Sequence, residues 1–141
     1  MTPSRDTSTG KVLEKLLEPV LELGGYTYQK QVVMGYKPDG KPYKADIVVE
    51  QEAERVVVSL KWQQVSGTAE QKIPFEVISL LYLIQQGVCE RAYLVLGGEG
   101  WTPQLKSFYL TGGLRRFIKD TEKVHILRLE DFIAKVNSRR L

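Results

Sequence analysis

Residues 43–72 restrict the possible folds of this chain more than any other stretch. Two β-branched runs lie close together here, and turn residues separate them, which predicts two neighbouring strands. The first run contains Asp46, and the second ends in Ser59-Leu60-Lys61. Because side chains alternate along a strand, Ser59 and Lys61 are expected on one face. A carboxylate and an ammonium group are costly to bury without a partner or a function. We therefore predict that these two strands carry the active site.

The flanking patterns predict one domain with the element order α-β-β-β-α-β-α-β-α. The first helix is expected from Lys11, after a loose polar arm at residues 1–9. Ser8 or Thr9 would cap it, Pro19 would kink or break it, and Gly24-Gly25 would end it. The other expected elements are strands at 26–36, 45–49, 56–61, 92–96 and 124–129, turns at 37–42 and 50–55, a buried helix at 69–86, one or two helices over 104–118, and a closing helix at 130–136.

Composition limits the classes of function. The 141 residues are 43% hydrophobic and 26% charged, which fits a single globular domain with a sizeable core. A net charge of +3 permits a nucleic-acid partner without requiring one. With Cys89 and His125 the only residues of their types, an internal disulfide, a zinc finger and a multi-histidine metal site are excluded. No apolar run is long enough to span a bilayer or form a signal core, so we expect a cytoplasmic protein with no membrane partner.

The order of elements and the residues on them resemble the PD-(D/E)XK nuclease superfamily. The resemblance covers most of residues 10–97 and implies an α/β protein with the restriction endonuclease-like αβββαβ core, a central mixed sheet flanked by helices. In that family an acid lies on the second core strand and a (D/E)-x-K pair on the third. Asp46 matches the acid, and Ser59-Leu60-Lys61 matches the pair, with Ser59 where the family usually has Asp or Glu.

The resemblance implies a metal-dependent site. Asp46 would be the central ligand of Mg²⁺, for which Mn²⁺ is expected to substitute, and Glu14 would match the helix glutamate of resolvase-like branches. Since some branches supply the missing acid from the following helix, Glu70 is the first candidate for that role and Glu76 the second. Lys61 would orient or deprotonate the attacking water. The implied metal ligands are Asp46, Glu70 and Glu14, the catalytic set adds Lys61 and Ser59, and no organic cofactor is expected.

Other polar residues are candidates for contact with a nucleic acid. Lys72 is expected near a helix start, where anions are favoured. The full set of candidates is Lys72, Gln63, Gln64, Lys106, Arg115 and Arg116. Gln63 and Gln64 could instead hold the strand of Lys61, and the basic residues could form a solvated face.

Each site residue also has a purely structural interpretation. Asp46 could be a buried ion-pair partner of Lys61, and Glu14 could be a solvated residue of a charged helix. Glu70 and Lys72 could form an ordinary charge cluster at a helix start.

The sequence thus indicates a Mg²⁺-dependent DNA endonuclease of restriction, resolvase or mobile-element type, expected to act as a homodimer. The alternative is a weakened relative that binds nucleic acid without cutting, which the serine at position 59 motivates. A weaker third possibility is a structural or interaction domain with ion-paired strands.

Overall fold

A mixed five-stranded sheet organises the computed structural model, which describes residues 5–141 and, from Lys11 onward, their side chains. Its strands lie side by side in sequence order. The first strand pairs antiparallel with the second and the second with the third, whereas the third pairs parallel with the fourth and the fourth with the fifth. The elements are α1 (Arg5–Leu23), β1 (Thr27–Tyr36), β2 (Pro42–Gln51), β3 (Glu54–Trp62), α2 (Ile73–Gln85), β4 (Arg91–Gly97), α3 (Pro103–Leu110), β5 (Val124–Arg128) and α4 (Leu129–Asn137), with short 3-10 turns at Ala69–Lys72, Gly113–Arg116 and Thr121–Lys123.

Each face of the sheet has its own apolar core. Helix α1 places Leu13, Leu17 and Leu21 on one face, because a spacing of four residues keeps side chains on one side of a helix. Helix α4 joins them there through Phe132 and Val136. The opposite face is covered by α2 and α3. Burial of each large apolar side chain contributes about 1.5–3 kcal/mol, so the two cores hold the sheet between two helical layers.

The predicted element order is confirmed, and so is the α/β class with its mixed sheet. The short apolar strand expected in a central or parallel position is β4, which pairs with β3 on one side and β5 on the other. Its residues from Ala92 to Gly97 are all buried, which explains why that stretch shows no polar alternation. In the part of the chain from residue 5 onward, no helix is long and apolar enough to cross a membrane.

The start of the first helix differs from the prediction. Helix α1 begins at Arg5, whereas the sequence predicted a loose arm over residues 1–9, of which 1–4 lie outside the described residues. The expected cap at Ser8 or Thr9 is wrong, since both lie inside the helix. Serine and threonine cost only a few tenths of a kcal/mol more than good helix formers, so they do not stop a helix by themselves.

Two further local predictions need correction. The break expected as one possibility at Pro19 is absent, since α1 continues through that residue, and the kink stays a prediction; the packing of the leucines of α1 outweighs the one hydrogen bond that a proline removes. The turn expected over residues 50–55 is only Glu52-Ala53, and Glu52 adopts a positive φ of 54°. That conformation allows a two-residue hairpin and lengthens both flanking strands.

Candidate active site

Strand β2 changes face at Asp46. Ala45 packs in the core beneath α2, whereas Ile47 packs in the core beneath α1. In a regular strand these two residues would share a face, so the backbone must turn over between them. The register of β2 with β3 runs from Gln51 to Ile47, which lies opposite Val58, and does not extend to Asp46. The two strands therefore diverge at Asp46.

The carboxylate of Asp46 bridges this divergence. The backbone N–H of Leu60 donates a 2.8 Å hydrogen bond to Asp46 Oδ2, so a side chain takes the place of a ladder partner. Burial raises the pKa of Asp46 to about 6, the Leu60 N–H and Lys61 oppose that rise, and the nearby charges of Glu76 and Glu14 add to it. Asp46 is thus a partly buried carboxylate with two like-charged neighbours, which favours a bound cation.

Glu76 on α2 contacts both Ser59 and Lys61. Ser59 Oγ donates a 2.6 Å hydrogen bond to Glu76 Oε2, and Tyr43 Oη donates another of 2.6 Å to the same oxygen. Lys61 Nζ lies 3.9 Å from the other oxygen, Oε1. Burial, together with the charge of Glu76, raises the pKa of Tyr43 well above its ordinary value, so its hydroxyl remains a donor. A carboxylate from the following helix therefore lies against Ser59 and Lys61.

Glu14 reaches the same region from α1. Its side chain is only 7% exposed, so its interpretation as a solvated residue is wrong. Gln31 Nε2 on β1 donates a hydrogen bond to Glu14 Oε2.

The interpretation of Asp46 as the ion-pair partner of Lys61 does not match the observed ion pair, because the salt bridge of Lys61 is made with Glu76.

Glu70, the first candidate for the missing acid, lies in a different cluster. Its carboxylate accepts hydrogen bonds from Thr102 N at 2.8 Å, Thr102 Oγ1 at 2.7 Å and Gln63 Nε2 at 3.3 Å. The bonds from Thr102 are the main reason that the pKa of Glu70 is lowered. Tyr109 Oη also donates to the Glu70 carbonyl. Glu70 thus ties the segment before α2 to the start of α3, and the structure does not bring it into the group around Asp46.

Gln63 belongs to that second cluster as well. It is 5% exposed, and its amide accepts from Glu70 N and donates to the carbonyl of Gly100. Its backbone exchanges further hydrogen bonds with Gly97 and Gly100. Gln63 therefore fastens the end of β3 to the loop after β4, and its amide is not presented to a nucleic acid.

The other predicted nucleic-acid contacts remain predictions. Lys72, Gln64, Arg115 and Arg116 are exposed, and Lys106 is half-buried. Lys72 immediately precedes α2, whose first turn carries Glu76. Among the predicted basic contacts, Lys72 is therefore the one nearest in the chain to Glu76.

The acidic residues show the right chemistry for a hard cation, although they are not gathered into a ligand cluster. In the part of the chain that the structure describes, no three Asp, Glu, His or Cys side chains are grouped closely enough to hold a metal ion. Glu76 is held by Tyr43 and Ser59, and Glu14 by Gln31. Carboxylate oxygens are nevertheless the ligands that Mg²⁺ prefers. The Asp46 carboxylate is buried near two other acidic residues, and a bound cation would offset their negative charge.

Sequence reasoning ranked Glu70 above Glu76 because it began the helix too early. A 3-10 turn occupies Ala69–Lys72, and α2 begins only at Ile73, with Pro74 in its first turn. The proline was the available signal, since it favours the first turn of a helix and would have placed Glu76 there. Tyr43 and Gln31 were missed because their contacts join residues 33 and 17 positions apart.

Comparison with known proteins gives a family and several distant structural neighbours. Residues 5–140 match the model of the PD-(D/E)XK nuclease superfamily domain. A comparison with curated protein sequences found no match. Among solved structures, the chain is similar to AF1548, a protein of unknown function, with a TM-score of 0.49 and 10% identity over 85% of this chain and 58% of that one. It thus spans under two thirds of the length of AF1548.

Two restriction endonucleases are also similar in structure. One is the small subunit (R.BspD6I2) of the heterodimeric restriction endonuclease R.BspD6I, with a TM-score of 0.45 and 20% identity over 93% of this chain and 75% of that one. The other is the DNA modification-dependent restriction endonuclease AspBHI, with a TM-score of 0.34 and 11% identity over 99% and 37%. The match of the family model over nearly the whole chain confirms the resemblance read from Asp46 and Lys61, and the protein belongs to the PD-(D/E)XK nuclease superfamily.

Proposed function

We propose that this protein is a Mg²⁺-dependent endonuclease that hydrolyses phosphodiester bonds in DNA, in a restriction, resolvase or mobile-element setting. The observation that carries the proposal is that Asp46 and the Lys61–Glu76 pair both contact the end of β3, at Leu60 and Lys61. Asp46 bonds to the backbone of β3, and Lys61 pairs with Glu76 from α2. Two carboxylates and a lysine are the groups that metal-assisted phosphate chemistry needs.

Asp46 and Glu76 would hold the ion, with Glu14 joining directly or through water. When bound, a divalent ion supplies positive charge for the phosphate oxygens and makes a bound water more acidic. Mn²⁺ is expected to substitute for Mg²⁺, since both accept carboxylate oxygens. Glu76, the second candidate from the sequence, takes the role of the missing acid in place of Glu70, because Glu76 contacts Ser59 and Lys61 whereas Glu70 contacts Thr102.

The remaining groups orient these carboxylates and the attacking water. Ser59 and Tyr43 each donate a hydrogen bond to Glu76 Oε2, which directs its other oxygen toward Lys61. Lys61 would orient or deprotonate the attacking water, or stabilise charge that develops on the phosphate. Ser59 would thus act through Glu76 and not as a ligand.

We further propose a cytoplasmic homodimer that places two such sites on the two strands of DNA. The single, buried Cys89 fits a reducing compartment. Lys72, Gln64, Lys106, Arg115 and Arg116 are the candidates for phosphate contacts. A second copy would supply the other half of the contact surface.

The proposal is tested by metal binding and cleavage measured together. Mg²⁺ and Mn²⁺ are titrated by calorimetry into the wild type, Asp46→Ala and Asp39→Ala, the last being a matched control in the exposed hairpin turn. Each protein is then incubated with supercoiled plasmid. We expect the wild type and Asp39→Ala to bind metal and nick the plasmid, and Asp46→Ala to do neither. Cleavage that persists in pure Asp46→Ala would refute the assignment.

A second function, nucleic-acid binding without cleavage, is favoured by one observation. Glu76 is already engaged by Ser59, Tyr43 and Lys61, so its carboxylate is partly compensated without a metal. This alternative predicts salt-sensitive DNA binding and no product with either ion. A Ser59→Glu variant, which restores the usual acid, should then gain metal affinity if the site is a degraded metal site.

A further inference from the structure

Gln31 has an unusual backbone for a residue within a strand. Its φ is 54°, in the left-handed region that residues with a Cβ rarely adopt. On β1 the neighbouring pairs are Lys30 with Ile47 and Val32 with Ala45, so Gln31 lies opposite Asp46. The strained Gln31 of β1 therefore lies opposite Asp46, the residue at which the side chains of β2 switch from one side of the sheet to the other. Such strain persists only where the surrounding structure enforces it, and it is frequent at functional sites.

The side chain of Gln31 has a defined partner. Its amide donates to Glu14, whose side chain is 7% exposed, so the bond crosses from the sheet edge to a buried position on α1. Because Gln31 lies opposite Asp46, this hydrogen bond draws the Glu14 carboxylate toward the part of the sheet that carries Asp46. A buried carboxylate beside another carboxylate needs a donor to keep its orientation.

We infer that Gln31 is a positioning residue, whose left-handed backbone directs its amide onto Glu14 and holds that carboxylate beside Asp46 for a shared divalent cation. The inference rests on the proposed function, because the cation is the one proposed above. It adds a residue that acts only through Glu14 and does not touch the metal or the substrate. A merely structural role would make Gln31 important for folding and neutral for metal binding.

The test separates folding from metal binding. Gln31→Gly removes the amide and relieves the strain, since glycine adopts positive φ freely. Gln29→Gly is the matched control: the same change two residues away on β1, at an exposed position whose φ is not positive. Gln31→Asn keeps an amide and tolerates the left-handed region but is too short by one methylene. Thermal unfolding without metal and calorimetric titration with Mn²⁺ are measured for each.

We expect Gln31→Gly to keep or raise the midpoint of thermal unfolding, while Gln29→Gly lowers it. Gln31→Gly and Gln31→Asn should bind Mn²⁺ about tenfold more weakly than the wild type, a loss typical of residues that orient metal ligands. Gln29→Gly should bind like the wild type. In a Glu14→Gln background, Gln31→Gly should have no further effect on Mn²⁺ affinity, because its partner is already changed.

The outcomes distinguish the two proposals. A wild type that binds Mn²⁺, together with Gln31→Gly and Gln31→Asn variants that bind it equally well, would overturn the role of Gln31 alone. An independent tenfold loss in the Glu14→Gln background would also overturn it, since Gln31 would then not act through Glu14. A wild type that binds no Mn²⁺ would refute the proposed function and the inference with it.

Discussion

Ser59 Oγ and Glu76 Oε2 are joined by a 2.6 Å hydrogen bond between β3 and α2. The resemblance to the family predicts an acid at the position of this serine, and the Glu76 carboxylate from α2 contacts the serine hydroxyl. Ser59 therefore donates a hydrogen bond that orients the Glu76 carboxylate. The consequence is that the second acid of this site is expected on α2 and not on β3.

The two glutamates near the start of α2 should have opposite roles. Glu76→Gln is expected to weaken Mn²⁺ binding and cleavage by about 10–100-fold or more, with a small change in stability. Glu70→Gln should instead lower the thermal midpoint by several degrees and leave Mn²⁺ affinity close to that of the wild type, because its carboxylate fastens Thr102. Calorimetry and thermal unfolding of the matched pair measure both effects. A larger loss of metal affinity in Glu70→Gln would show that Glu70, and not Glu76, is the metal ligand.

The raised pKa of Asp46 predicts how stability depends on pH. In the folded chain this carboxyl keeps its proton up to about pH 6, whereas the unfolded chain releases it near its ordinary value of 3.8. The folded state therefore binds more protons in that window, and the contribution of Asp46 to stability falls as pH rises through it. Since each pKa unit corresponds to about 1.4 kcal/mol, Asp46→Asn should stabilise the metal-free protein by up to about 3 kcal/mol above pH 7.

The same experiment contains its own check. The stabilisation by Asp46→Asn should disappear below about pH 3, where the carboxyl is protonated in both states. Denaturant unfolding at several pH values measures the difference, and Asp39→Asn in the exposed turn controls for the loss of one charge. A stabilisation that does not depend on pH would contradict the assigned shift. Metal affinity should show the reverse trend and rise through pH 6, because the ligand must lose its proton.

Lys61→Gln should separate metal binding from chemistry. The ammonium group lies 3.9 Å from Glu76, so its removal takes a positive charge away from the proposed metal site. Mn²⁺ affinity should therefore stay equal or increase, while cleavage falls by about 10²–10⁴-fold if Lys61 acts on the attacking water. Lys44→Gln, at an exposed position on β2, is the matched control and should cut like the wild type. Loss of metal binding in Lys61→Gln would argue against this division of roles.

The loop after β4 should tolerate no side chain at Gly98. Its φ is +94°, and a Cβ there would meet the backbone carbonyl oxygen of Gln63 at 2.4 Å. Gly40 has a similar φ of +88° but nothing within 4 Å. Gly40→Ala should therefore cost about 1 kcal/mol of strain alone, and Gly98→Ala clearly more than about 2 kcal/mol. Equal losses in denaturant unfolding would show that the loop can move away from Gln63.

Ser79 offers a stabilising substitution. It is fully buried in α2, and its Oγ has no hydrogen-bond partner among the residues that the structure describes. Ser79→Ala removes an unsatisfied polar atom and introduces a better helix former, so it should raise the free energy of unfolding by about 1 kcal/mol. Ser66→Ala, in the exposed connector before α2, should change stability little. A destabilising Ser79→Ala would indicate that the hydroxyl has a partner, such as a buried water.

Local pattern was sufficient for most of the fold. The apolar spacing of α1 and the β-branched runs around Asp46 and Lys61 predicted the elements in order. These features could be recognised because helices and strands have fixed periods that appear in any one segment. The start of α1 was misjudged because serine and threonine disfavour a helix only slightly, so local preference does not decide where the helix begins.

The site was predicted only in part for the same physical reason. Asp46, Ser59 and Lys61 lie on adjacent strands within one short stretch, and their spacing drew attention to them from the sequence alone. The choice of Glu76, the hydroxyl of Tyr43 and the amide of Gln31 depended on contacts between elements far apart in the chain. The sequence by itself determined the family and the strands that carry the motif. The tertiary structure decided which carboxylates meet, because a shift of a few residues in the start of α2 turns a different glutamate toward the sheet.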